Sequence, residues 1–286
     1  MNTMRTEGEH NTPLLDVRPE TGFAAIHRAG AVNIPLEELA DRIHELPPRD
    51  AALTVYDRCP VRARWARSRL RARGRGAPIV VSGEAWLRSG PTARGPGRDR
   101  LWQPHDLLKQ AIAETRRVWP SIDGRPALDL ACGAGRDAVF LALAGFETAA
   151  WDVLPDALDR CRDLARRCGV AVATECRDVV AEPCLPESRF DLVCVFNFLH
   201  RPLMSAIAEA VRPGGFVVYE TFVHPQRERF GKPRREAFLL QPGELPTWFD
   251  GWTIMWSREG PAGPRRIAAS LIAQRPERSG TAGVFV

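Results

Sequence analysis

Lysine is almost missing from this chain: of 40 basic residues only Lys109 and Lys232 are lysine, and the rest are arginine. A formal charge of +5 raises the question of a polyanionic partner, because clustered cations gain affinity by releasing counterions from nucleic acid. An arginine excess spread along the whole chain is a compositional bias more than a built surface, so nucleic acid is the weaker reading. No apolar run is long enough to span a bilayer, and no membrane segment is expected. The opening MNTMRTEGEHNTP has no apolar stretch of the kind a signal peptide carries, so a cytoplasmic protein is expected. The seven cysteines, Cys59, Cys132, Cys161, Cys168, Cys176, Cys184 and Cys194, are odd in number and never spaced C-x-x-C. Neither a disulfide framework nor a metal site is indicated.

What is present suits two α/β domains. The 286 residues, 44% hydrophobic and 26% charged, can bury two ordinary cores. SGPTARGPGRDR, from Ser89 to Arg100, has no hydrophobic periodicity and reads as a linker. The expected division is a first domain over 1–90, a linker over 91–100, a second domain over 101–276 and a tail over 277–286. Short apolar runs at Leu14–Val17, Leu53–Tyr56 and Ile79–Val81 read as buried strands of the first domain. In the second, strands near Ala127–Ala131, Glu147–Trp151, Val170–Cys176, Phe190–Phe196 and Phe216–Thr221 alternate with helical segments. That alternation implies a mostly parallel sheet covered on both faces. The last runs, Thr253–Trp256 and Ile267–Ala273, have no helix between them and read as an antiparallel hairpin at the sheet edge.

PALDLACGAGRDAVFLALAG, from Pro126 to Gly145, is a strand, a glycine turn and a helix, which presents free backbone N–H groups to a polar or anionic ligand. Gly133, Gly135 and Ala138 also satisfy the dinucleotide pattern G-x-G-x-x-A, so an NAD-dependent oxidoreductase has to be weighed. Acids recur at three successive strand ends: Asp129 inside DLACGAG, Asp152 in AAWDVLPDAL and Asp178 in TECRDVV. With FDLVCVFNFLH and AVRPGGFVVYETF further on, these motifs resemble class I S-adenosylmethionine-dependent methyltransferases, in wording close to the tellurite-resistance-like branch. The resemblance implies a Rossmann-like domain with a seven-stranded sheet and S-adenosylmethionine as cofactor. It assigns the methionine moiety to the loop from Asp129 through Cys132, Gly133 and Ala134 to Gly135, the ribose diol to Asp152 and the adenine amino group to Asp178. Asn197 and His200 follow the fourth strand, on the edge where open sheets bind ligands. Asn197 is placed with the cofactor, Cys132 is read as a packing residue, and Trp151 as core.

Methyl transfer from a sulfonium chiefly needs alignment and exclusion of water, so a general base is optional. If one acts, His200 and Glu220 are the catalytic candidates, with His224 nearby. HPQRERFGKPRREAFLL, His224–Leu240, suits a substrate lid as well as a plain solvated connection, and its Arg227, Arg229, Arg234 and Arg235 would favour an anionic acceptor. LWQPHDLLKQAIAE resembles the helix that covers the cofactor in this family, with Trp102 as a lid contact.

LLDVRPETGFAAIHRAGAVNIPLEEL, Leu14–Leu39, and VVSGEAW, Val80–Trp86, resemble single-domain rhodaneses. The resemblance puts the sulfur-carrying loop at DRCPVR, Asp57–Arg62, where Asp57 stands at the cysteine position. A carboxylate there caps a helix but carries no sulfur. The first domain is therefore expected to be an inactive scaffold or protein-docking module, the rival being a non-enzymatic sulfur- or anion-binding adaptor. The expected activity is methyl transfer to a small acceptor, anionic or sulfur-related.

Overall fold

The computed structural model describes residues 12–97 and 99–277. The chain divides into two compact units, Met1–Gln103 and Pro104–Val286.

In the first unit, the apolar run opening at Leu14 forms β1 (Leu14–Asp16), followed by α1 (Glu20–Ala25), β2 (His27–Arg28) and β3 (Ala31–Asn33). Next come β4 (Thr54–Asp57), α2 (Pro60–Ala72), β5 (Ile79–Ser82), α3 (Glu84–Arg88) and β6 (Thr92–Ala93). Four strands make a parallel sheet in the order β3-β1-β4-β5. Its core gathers Leu15, Val17, Ile34, Leu39, Val55 and Leu70 among others. The strand at Ala31–Asn33 is too short to leave a periodicity.

The segment over 91–100 is no free linker at its start. Thr92–Ala93 pairs antiparallel with His27–Arg28, the Gly95 N–H donates to Ala24 O at 2.7 Å, and Leu101 joins the first core. These contacts run largely through backbone groups, which side-chain patterning does not register. Trp102 also falls on the first unit's side of the division, so the second unit's leading helix begins only after it.

The second unit runs α4 (Asp106–Val118), β7 (Pro126–Leu130), α5 (Arg136–Ala144), β8 (Glu147–Asp152), α6 (Pro155–Cys168), β9 (Ala173–Cys176) and β10 (Phe190–Phe196). It closes with α7 (Met204–Ala210), β11 (Val211–Phe222), α8 (His224–Phe230), α9 (Glu244–Thr247), β12 (Thr253–Pro261) and β13 (Ile267–Gln274). The seven-stranded sheet is ordered β12-β13-β11-β10-β7-β8-β9; β13 runs antiparallel to both neighbours and the remaining pairings are parallel. The two-domain α/β class, the Rossmann-like second unit and the edge hairpin all match expectation.

Period-two alternation explains how β10 holds the centre. Leu192, Cys194 and Phe196 enter the cluster with Leu108 and Ile112 of α4, while Val193 and Val195 enter the opposite cluster with Ile207 of α7. Every residue of β10 is buried, which is why it reads as an unbroken apolar run. On α6, Ala157, Leu158, Cys161, Leu164 and Ala165 are buried at helical spacing, Pro155 opens the helix and Gly169 ends it in a left-handed turn. The crossover from β9 to β10 holds no helix: after Cys176 the chain goes through a turn and loop to Phe190.

Candidate functional site

The carboxyl ends of β7, β8, β9, β10 and β11 set the site, and the turn after β7 is its tightest part. Ala131, Gly133 and Gly135 all have positive φ, at 57°, 55° and 75°. The two glycines are needed for different reasons. A Cβ on Gly135 would lie 2.1 Å from Cys161 Sγ, so this position lets α5 close against α6. A Cβ on Gly133 would meet nothing within 4 Å, so this position faces open space. The first turn of α5 lies directly beyond, with its N–H groups at the positive end of the helix dipole.

Asp129 supports the loop from beneath. It is 2% exposed; Oδ2 accepts the Ala138 N–H at 2.9 Å and Oδ1 accepts the Cys194 S–H at 3.6 Å. Burial, with Asp137 nearby, pushes its carboxyl well above the usual range. Cys132 packs against Cys161, Ala138 and Ala150; its hydrogen bond with Cys161, then burial, raise its thiol far above normal. That is a packing residue and no nucleophile.

Asp152, at the end of β8, accepts the Gly133 N–H on Oδ2 at 2.8 Å and the Leu154 N–H on Oδ1 at 2.9 Å. The glycine turn and the second strand end are thus tied together. Asp178, two residues past β9 and exposed, accepts the Val180 and Ala181 N–H groups on Oδ1, both at 3.0 Å. Its Oδ2 stays outside that turn. Trp151 is 5% exposed in the core between Phe190 and the Arg177 guanidinium.

The expected acceptor side looks different from its sequence reading. Glu220 is 7% exposed; Ser270 Oγ donates to its Oε2 at 2.7 Å and Arg266 Nη2 lies 2.8 Å from its Oε1. A carboxylate so engaged anchors Arg266 instead of standing free as a base. His224 Nε2 is 2.8 Å from Glu236 Oε1, and Arg227 donates to the same carboxylate at 2.5 Å. His200 is half-buried just before the helical turn at Arg201–Leu203. Asn197 sits at a positive φ of 58°, which asparagine tolerates better than most residues with a side chain.

Three side chains were missed or left unassigned by sequence reasoning. His105, immediately ahead of α4, has Nδ1 2.7 Å from Asp137 Oδ2, while its backbone N–H donates to Asp137 Oδ1 at 2.8 Å. Its ring stacks on Phe196, centroids 4.1 Å apart and planes 3° from parallel. Its Nε2 lies 3.2 Å from Asn197 Nδ2 and 3.5 Å from Arg266 Nη1. The sequence had no signal for this: His105 and Asp137 are far apart in the chain, and Arg266 stands in a turn-rich stretch among other arginines.

In the first unit, Asp57 at the end of β4 is 3% exposed. Its Oδ1 accepts the Cys59 N–H at 2.8 Å and its Oδ2 accepts Arg62 Nε–H at 3.0 Å. Cys59 is exposed, with Pro60 opening α2 behind it. The cleft beside this loop, about 550 Å³, is bordered by Arg18, Arg58 and Arg62. Each of those arginines is paired: with Asp16, with Glu84, and with Glu37 and Asp57.

An adenosylated sulfonium fits the second unit. The space over Gly133 is open, Asp152 braces the turn from the next strand end, and Asp178 follows the third strand with Oδ2 outside its own turn. Comparison with known proteins agrees. A methyltransferase-domain family matches residues 127–215 and a rhodanese-like-domain family matches residues 2–85. A ubiquinone biosynthesis O-methyltransferase of Alkalilimnicola ehrlichii is 31% identical over 177 residues, covering 52% of this chain and 71% of the relative. An uncharacterized protein of Schizosaccharomyces pombe, UNK4.09, is 22% identical over 280 residues, covering 80% of this chain and 82% of that one. Among solved structures, TehB from Haemophilus influenzae is 17% identical with a TM-score of 0.47, over 58% of this chain and 62% of its own. With the glycine turn, the strand-end acids, the two matching families and the 31%-identical methyltransferase, the chain belongs to the S-adenosylmethionine-dependent methyltransferases and carries a rhodanese-like domain ahead of the catalytic one.

Proposed function

We propose that the second unit methylates a small, anionic acceptor, and that S-adenosylmethionine lies over the open side of Gly133, reached by Asp152 and Asp178 from the next two strand ends. In this reading the backbone from Asp129 to Gly135, including Cys132, Gly133 and Ala134, surrounds the methionine portion. Asp152 takes the ribose hydroxyls, Asp178 the adenine amino group, and Asn197 borders the donor from β10. The cofactor supplies a methyl group already activated on sulfonium sulfur, so no covalent enzyme intermediate is needed.

The protein's own work is to hold, orient and dry the site. Asp129 fixes the turn from below, and Glu220 fixes Arg266 from the side. The segment over 224–240 closes the acceptor side. Arg229, Arg234 and Arg235 give it positive charge beyond the His224–Glu236–Arg227 cluster, which supports an anionic acceptor. His200 borders the same edge.

The rhodanese-like unit serves as a scaffold or docking module, since Asp57 occupies the sulfur position with its own carboxylate. No described helix is long and apolar enough to cross a membrane. The nicotinamide reading has less support, because the family matching residues 127–215 and the 31%-identical relative are methyltransferases; the sulfur-adaptor reading has less support because Asp57 stands at the strand end. Calorimetry of the full chain with S-adenosylhomocysteine and with NAD decides between the enzyme readings; binding of NAD alone would overturn this one. Screening metabolite extracts for methylated products then identifies the acceptor.

A further inference from the structure

We infer that His105, aligned by Asp137, is the catalytic base that deprotonates a hydroxyl group on the acceptor. The inference rests on the methyltransferase reading and names the acceptor class of the same site.

Three observations carry it. The Asp137 carboxylate receives the His105 backbone N–H on one oxygen and faces Nδ1 with the other, at 2.8 and 2.7 Å. A carboxylate only accepts, so Nδ1 carries the ring proton. The neighbours of Nε2 are Asn197 Nδ2 at 3.2 Å and Arg266 Nη1 at 3.5 Å, both donors, so Nε2 is the accepting nitrogen and its one lone pair goes to these long contacts until an acceptor hydroxyl displaces them. The ring is held flat against Phe196 and is only partly exposed, at 17% of its side-chain surface. This is a histidine fixed in one tautomer by a carboxylate, with its basic nitrogen turned to the edge formed by Asn197 and Arg266.

Arg266 supplies the second half. Its side chain is 18% exposed, and among the described residues Nε and Nη2 have no hydrogen-bond partner at acceptable geometry, although Nη2 is close to Glu220. Held by Glu220 through Nη2, the guanidinium keeps Nη1 3.5 Å from His105 Nε2, a positive charge beside the base that suits an oxygen becoming negative as it loses its proton. A role confined to holding α4 in place does not need this cation.

The acceptor O–H bond breaks and its proton passes to Nε2, giving an imidazolium that Asp137 stabilises. The freed oxygen pair forms the new C–O bond with the donor's methyl carbon while the C–S pair returns to sulfur. The imidazolium later releases its proton to water. Thiol acceptors that ionise unaided gain nothing from this base.

Two measurements on the full chain test the inference. Nitrogen-15 NMR of the His105 ring at neutral pH, with S-adenosylhomocysteine present, is expected to give a protonated Nδ1 and a bare Nε2. In Asp137→Asn the single amide oxygen stays with the backbone N–H, so the amide N–H₂ faces Nδ1 and the proton moves to Nε2. A wild-type ring protonated on Nε2 overturns the assignment. The second measurement compares methylation of 4-hydroxybenzoate and 4-mercaptobenzoate, matched aryl carboxylates. Wild type is expected to methylate the hydroxyl, and His105→Gln to lose on the order of 100-fold or more of that rate with S-adenosylhomocysteine affinity unchanged. Turnover of the thiol alone, or of neither with S-adenosylhomocysteine still bound, overturns the hydroxyl class. Weaker S-adenosylhomocysteine binding in His105→Gln moves His105 into the cofactor pocket and overturns its role as base. Failure of wild type to bind S-adenosylhomocysteine at all breaks the underlying methyltransferase reading instead.

Discussion

The two units each end a parallel strand in a turn that feeds a helix, and the turns have opposite fates. In the first, the chain puts its own anion into the turn: Asp57 takes the Cys59 N–H and the Arg62 guanidinium. In the second, the turn is kept open: Gly133 faces empty space, and Asp152 braces the loop from the neighbouring strand. Both turns give a backbone N–H to a carboxylate of the chain, so the difference lies in where that carboxylate stands: Asp57 sits within its own turn, whereas Asp152 reaches Gly133 from the neighbouring strand and leaves the space over the glycine open.

The largest expected effect comes from closing the open turn at its packing side. Gly135→Val combines a φ of 75° with a Cβ 2.1 Å from Cys161 Sγ. It should cost about 3 kcal/mol or more in urea denaturation of the full chain, because strain and overpacking add. Gly133→Ala, lacking the clash, should cost about 1 kcal/mol for its left-handed backbone. Equal losses in the two variants would erase the distinction between a packing glycine and a cradle glycine.

Asp152→Ala should weaken S-adenosylhomocysteine by about 2 to 4 kcal/mol in calorimetry, since it removes charge-assisted hydrogen bonds and unties the Gly133 N–H. Unchanged affinity would take Asp152 out of the site. For Asp178→Ala the expected loss is smaller, about 1 to 2 kcal/mol, because this acid is exposed and already shares Oδ1 with two backbone donors. The melting curve should stay near that of wild type; a collapsed curve would make Asp178 structural.

The smallest effect tests the filled turn. Cys59→Ser should leave methyl transfer and stability unchanged, and neither form should produce thiocyanate from thiosulfate and cyanide. Cys59 is exposed, while the strand-end position belongs to Asp57. Catalytic thiocyanate formation abolished by Cys59→Ser would prove the first turn a working sulfur site and break the comparison.

Elements that bury a repeating face were legible from residues alone. The unbroken apolar run of β10 and the helical spacing on α6 are imposed by solvent exclusion within one element. The fate of 91–100 was not legible, because Thr92 and Gly95 are held by backbone hydrogen bonds. Glu220 looked like a free acid at a strand end; a guanidinium from the turn before β13 engages it.

The sequence by itself determined two α/β units, the glycine turn and the acids at successive strand ends, since each is a local pattern with a local physical cause. Only the tertiary structure decided which of these groups remain available. Asp129 was turned inward as a support, Glu220 was taken by Arg266, and His105 was brought onto Asp137, Phe196 and Asn197. Those outcomes depend on which strand ends meet across the sheet, and contacts between residues so distant in the chain leave no periodicity for a sequence to display.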